Sequence, residues 1–76
     1  MITVQLFGLL RINSGIRRRT LEAATVGEVL RTLEGEGFDK KELAGYIILV
    51  NGKTAGKRHK LADGDTVVLM SAVAGG

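Results

Sequence analysis

Cysteine, proline and tryptophan are all missing from this chain, and its 76 residues include one histidine, one tyrosine and two phenylalanines. Without cysteine there can be no disulfide scaffold, iron–sulfur site, zinc–thiolate site or cysteine nucleophile. The aromatic platform on which single-stranded nucleic acids stack is nearly absent. Long apolar runs are lacking too. The longest, Tyr46-Ile47-Ile48-Leu49-Val50, falls far short of the ~20 residues needed to cross a bilayer. The start, Met1-Ile2-Thr3-Val4, has no basic segment leading into an apolar stretch. The expectation is therefore no secretory signal, no membrane partner and a cytoplasmic location.

What is present describes a folded globule. Hydrophobic residues make up 45% of the chain and charged ones 25%, a balance that favours a core over disorder. The length fits one small domain, residues 1–76, which buries only about 60% of its unfolded surface and has a thin margin of stability. Eleven Lys and Arg against eight Asp and Glu leave a net charge of +3. The cations gather at Arg17-Arg18-Arg19 and at Lys57-Arg58-His59-Lys60. Such runs attract nucleic acid or acidic protein surfaces, but most are simply solvated. Nucleic acid is the minor reading here.

Glycine supplies the punctuation. Ile2, Val4 and Leu6 alternate with Thr3 and Gln5, the period of a half-buried strand. Gly8 to Gly15 reads as a connector with a short helical turn, and Ile16 to Glu22 as a wet second strand at a sheet edge. Thr25 and Glu28 have capping-box spacing, with the Glu28 carboxylate expected to reach back to Thr25. Val26, Val29, Leu30 and Leu33 then form one helical stripe, with Gly35 and Gly37 as two places to stop. Phe38 is expected to return to the core, and Asp39 to Ala44 to form one short turn. Tyr46 to Val50 reads as a strand, Asn51-Gly52 as a hairpin turn and Lys53 to Ala55 as a brief return. Asp63-Gly64 turns the chain into a last strand, Thr66 to Met70. One helix of this length covers one sheet face, so the prediction is an α+β two-layer roll with the first and last strands meeting centrally.

The catalytic search is short. His59 sits in a basic run with no nucleophile or cleft identifiable around it, and reads as an ordinary exposed loop residue. Asp63 and Asp65 flank Gly64, but the calcium-loop ligand ladder is missing, so turn chemistry is the better reading. No metal site is expected. No glycine-rich stretch spells a phosphate loop with its lysine, so no nucleotide or other cofactor should be bound. The tail differs: Ala72, Val73, Ala74, Gly75 and Gly76 form a slim arm. A frayed end is the plain reading of such a segment. The functional one is a reactive Gly76 carboxylate on an arm narrow enough to thread a channel. A carboxylate needs activation, for instance as an acyl-adenylate, and that chemistry would have to come from a partner.

A strand-strand-helix-strand-strand order ending in Gly-Gly resembles the ubiquitin-like β-grasp proteins, and among them the MoaD/ThiS family of sulfur carriers. The resemblance is carried by Leu6-Phe7-Gly8-Leu9-Leu10-Arg11, Thr25-Val26-Gly27-Glu28-Val29-Leu30, Val50-Asn51-Gly52-Lys53, Leu61-Ala62-Asp63-Gly64-Asp65-Thr66-Val67 and the Gly75-Gly76 tail. It implies a mixed sheet of four to five strands on one main helix, with residues 72–76 as the functional tail. It further implies that an E1-like enzyme adenylates Gly76 using ATP. A persulfide donor protein then leaves a thiocarboxylate there, and a synthase large subunit takes the sulfur while Ala72, Val73 and Ala74 lie along it. The chain itself would not be an enzyme. The long connector Leu9 to Gly15 resembles the molybdopterin synthase small subunit more than the thiamine carrier, although Ser71-Ala72 stands where that subunit has a proline pair. A thiamine-pathway carrier, a protein modifier joined to a target lysine and a basic RNA-binding module are the alternatives.

Overall fold

Alternation in the first strand and a helical stripe in the first helix present two apolar surfaces that must cover one another, and the architecture follows from that. The computed structural model describes residues 1–7 and 18–71. The elements in these residues are β1 (Ile2–Leu6), β2 (Arg18–Leu21), α1 (Val26–Gly35), α2 (Lys40–Ala44), β3 (Tyr46–Val50), β4 (Lys53–Thr54) and β5 (Thr66–Ser71). The strands form one mixed sheet in the order β2-β1-β5-β3-β4. β1 and β5 are parallel at its centre, with Val4 opposite Val67 and Leu6 opposite Leu69. The remaining pairs, β1 with β2, β3 with β5 and β3 with β4, are antiparallel. The central meeting of first and last strands is as expected, and the whole is the β-grasp roll that the resemblance implied.

Val4 and Leu6 of β1, Val67 and Leu69 of β5, and Val26, Val29 and Leu33 of α1 are fully buried between sheet and helix. Leu43 of α2 joins them. Each such side chain contributes roughly 1.5–3 kcal/mol on burial. Because α1 covers only one face of the sheet, the outward residues of the central strands have no layer above them among the described residues.

Local chemistry sets the element ends. Thr25 is the N-cap of α1 and accepts a hydrogen bond from the Glu28 N–H at 3.3 Å. The Glu28 carboxylate reaches one residue further back than the capping-box reading expected, accepting from the Ala24 N–H at 2.8 Å. At the other end Gly37 adopts φ +107°. Its N–H donates to the Glu34 carbonyl and that of Phe38 to the Leu33 carbonyl, a Schellman close that turns Phe38 back onto the core. Of the two glycines offered as stops, Gly37 is the one in the left-handed conformation. Asn51 and Gly52 both take positive φ, 51° and 88°, as a two-residue hairpin joining twisted strands requires.

The edge strand β2 ends at Leu21, one residue before the predicted Glu22, and residues 16 and 17 of the predicted span lie outside the described residues, as does the connector Gly8 to Gly15 with its expected turn. Arg19 is not the solvated residue that a basic run suggests. Its side chain lies on the helix side of the sheet and pairs with Glu36 just beyond α1. That cation also sits at the negative end of the helix dipole, where it is favoured.

Candidate docking face at the root of the tail

The predicted site residues Ala72, Val73, Ala74, Gly75 and Gly76 all lie outside the described residues. What the structure places is the root from which they leave. β5 ends at Ser71, which is paired with Tyr46 of β3, and β5 occupies the middle of the sheet. The last described residue of β5 therefore stands between two strands, β1 and β3.

That surface is apolar. With Val67 and Leu69 turned to the helix, alternation puts Val68 and Met70 on the open face. The register sets Met70 opposite Ile47 and Val68 opposite Leu49. Phe7 continues the alternation of β1, and its N–H donates to the Leu69 carbonyl at 2.9 Å, beside the end of β5. Phe7, Ile47 and Met70 remain 41%, 42% and 37% exposed. Phe7 just past β1, Ile47 of β3 and Met70 of β5 thus add apolar surface to one face. Such surface on a small domain marks an interaction site more often than chance. None of these face residues was named from the sequence as a partner contact. The available signal was Tyr46–Val50, apolar on both faces in a fold with a single helical layer.

The other motifs resolve into scaffolding. Asp65 accepts from the Ala62 N–H at 2.8 Å and from the Asn51 side-chain amide at 2.9 Å, while Asn51 Oδ1 accepts from the Thr66 N–H at 3.0 Å. Gly64 takes φ +92°. Asp63-Gly64-Asp65 is therefore turn chemistry, a clasp between the β3–β4 hairpin and the start of β5. The Ala62 backbone bond, then the Asn51 bond, and to a smaller extent the charge of His59, hold the Asp65 carboxyl below its usual range, against a small opposing effect of burial. His59 is exposed and contributes its backbone carbonyl to the Val26 N–H at 3.0 Å. Among the described residues no group of three His, Asp or Glu could hold a metal ion, and no helix is long and apolar enough to cross a membrane.

A five-stranded mixed sheet over one main helix is the architecture of the ubiquitin-like β-grasp proteins. Comparison with known proteins gives the family: the model of the ThiS family matches residues 4–76, and the chain belongs to that family. Among solved structures, small archaeal modifier protein 1 of Methanosarcina acetivorans is similar at 26% identity and a TM-score of 0.80, over 99% of this chain and 95% of that one. A chain of the BexX/CysO complex of Amycolatopsis orientalis is 27% identical with a TM-score of 0.77, over the full length of both. A chain of the complex of subunits 1 and 2 of molybdopterin-converting factor from Helicobacter pylori shares the fold at 24% identity and a TM-score of 0.76, over 99% of this chain and 97% of that one. The curated proteins searched gave no significant match.

Proposed function

We propose that this chain carries sulfur as a thiocarboxylate on Gly76 and delivers it in molybdopterin biosynthesis. An ATP-dependent activating enzyme joins the Gly76 carboxylate to AMP, releasing pyrophosphate. The terminal sulfur of the donor's persulfide then attacks the mixed anhydride and AMP leaves; a second thiol of the partner proteins attacks the acyl disulfide so formed, which releases the thiocarboxylate and leaves a disulfide on the partners. A synthase large subunit docks on the Phe7, Ile47 and Met70 face and draws Ala72, Val73 and Ala74 into its own site. Nucleotide, persulfide and acceptor belong to the partners, and the handle contributes shape and a route for the arm.

The observation that carries this reading is the match to the ThiS family, which runs on through Gly75 and Gly76. The apolar face at the arm's root supports the docking step. The long connector Leu9 to Gly15 supports the molybdopterin pathway over thiamine. A modifier reading is favoured by one observation, the likeness to small archaeal modifier protein 1. In it the activated Gly76 forms an amide with a target lysine.

Mass spectrometry of the protein isolated from its native host separates the two. Exchange of one terminal oxygen for sulfur is expected for the carrier, and a lysine-linked ladder for the modifier. Deletion of Gly76 should leave the fold unchanged and abolish the sulfur gain, since a terminal glycine has no side chain to pack. A normal yield of thiocarboxylate without Gly76 would refute the assignment. The large subunit that co-purifies identifies the pathway.

A further inference from the structure

The helical layer, on the opposite side of the sheet from Ile47 and Met70, carries a second surface, separate from the face assigned above to the synthase large subunit. A groove of about 480 Å³ runs between α1 and the loop before β5, with Arg31, Lys40, Lys57 and Arg58 around it, Glu34 at one side and Leu30 in its floor. Four cations and one carboxylate give it a local excess of three positive charges, as large as that of the entire chain. Among the described residues, none of the four cations is paired with a carboxylate.

The backbone builds this arrangement. The Gly27 N–H donates to the Lys57 carbonyl at 2.8 Å, the Val26 N–H to the His59 carbonyl at 3.0 Å, and the Leu61 N–H to the Ala24 carbonyl at 2.8 Å. A Cβ on Gly27 would lie 3.2 Å from the Lys57 carbonyl oxygen, so the glycine permits the close approach that sets Lys57 and Arg58 beside Arg31. Those loop carbonyls already occupy the first N–H groups of α1, so the helix end itself is not an anion site. Like charges at this spacing repel one another, and Lys57 and Arg58 stand beside the positive end of the α1 dipole.

We infer that this groove docks an acidic segment of a partner protein, and that it can do so while the open sheet face and the arm are engaged elsewhere. Carboxylates of the segment would meet Arg31, Lys40, Lys57 and Arg58, and a small apolar side chain would lie on the Leu30 floor. Glu34 and the absence of aromatic lining among the described residues disfavour a nucleic acid, whose phosphates Glu34 would repel and whose bases need a stacking platform. The sheet lies between the two surfaces, so a carrier can be held at its helical layer by one protein and read at its tail by another.

The test uses the full chain, isotope-labelled, titrated with a blocked pentapeptide of sequence Asp-Glu-Leu-Glu-Asp and followed by amide shifts. Saturable shifts are expected at Gly27, Arg31, Lys57 and Arg58, with Ile47 and Met70 unmoved, weakening as salt is added. The pair Arg31→Glu and Arg58→Glu should lose those shifts, and the milder pair Arg31→Gln and Arg58→Gln should weaken them, both with cooperative thermal unfolding retained. Lack of saturable shifts at the groove overturns the inference. So does equal response to a Lys-Lys-Leu-Lys-Lys peptide, or tighter binding at the same residues by a single-stranded RNA decamer or by inorganic phosphate. Thiocarboxylate formation on Gly76 is read separately by mass, so failure of this docking site and failure of the carrier function are distinguishable.

Discussion

Replacing Ile47 by aspartate separates the docking face from the fold. Ile47 is 42% exposed on the open face, opposite Met70. Full burial of such a side chain contributes roughly 1.5–3 kcal/mol, so covering the exposed part with a partner contributes about 1 kcal/mol. Alanine at this position should therefore weaken partner binding by about fivefold. Aspartate also places an unpaired carboxylate under the partner, adding about 2–3 kcal/mol, for a combined loss of a hundredfold or more. In the free chain the carboxylate stays in water. There the change costs about 1 kcal/mol for a poor strand former, a fall in melting temperature of about 4–8 °C. The control is Thr54→Asp, at the exposed edge strand β4, which should leave the function within a few-fold of the parent. The assay is thiocarboxylate yield by mass in the native host, alongside thermal unfolding. A folded Ile47→Asp chain thiocarboxylated and consumed at the parental rate would refute the argument that this face is where partners sit.

Leu33→Ala should be more damaging than Leu30→Ala in chemical denaturation. Leu33 is fully enclosed, while Leu30, 4% exposed, floors an open groove that can settle inward or admit water. Costs within about 2–5 kcal/mol are expected for both, Leu33 nearer the top, and the reverse order would contradict the packing described. Asp65 has a folded-state pKa below its unfolded value, so its contribution to stability is present above the ordinary carboxylate pKa and drains away as pH falls through the depressed value. Unfolding followed from neutral pH into the acid range should show this loss in the parent, and Asp65→Asn should be less stable at neutral pH and flatter in that window. A steeper acid dependence in the variant would show the sign to be wrong. Gly75→Val should leave the melting temperature unchanged and block sulfur loading by thickening the arm; full loading would show that slimness is irrelevant.

Much of the architecture was legible in the chain because short-range rules decide it. Alternation in Ile2–Leu6, the Thr25 cap with its following stripe, and Asn51-Gly52 each depend on neighbours a few residues away. The slim arm of Ala72 to Gly76 is likewise a property of composition, which is why the family resemblance could be seen before any fold. The tertiary structure decided what depends on partners distant in sequence. Phe7 just past β1, Ile47 of β3 and Met70 of β5 are far apart in sequence, and only the β1–β5 and β3–β5 registers bring them to one face. Arg19 looked like part of a solvated basic run until the helix end brought Glu36 to it. Leu43 looked like part of a polar turn until α2 folded over the core. Arg31 and Arg58 become neighbours through the contact of Gly27 with Lys57, a closeness that no local periodicity encodes. Hydrogen-bonding periodicity acts along the chain and can be read from it; charge and apolar surface add up across it, so their grouping exists only once the chain has closed.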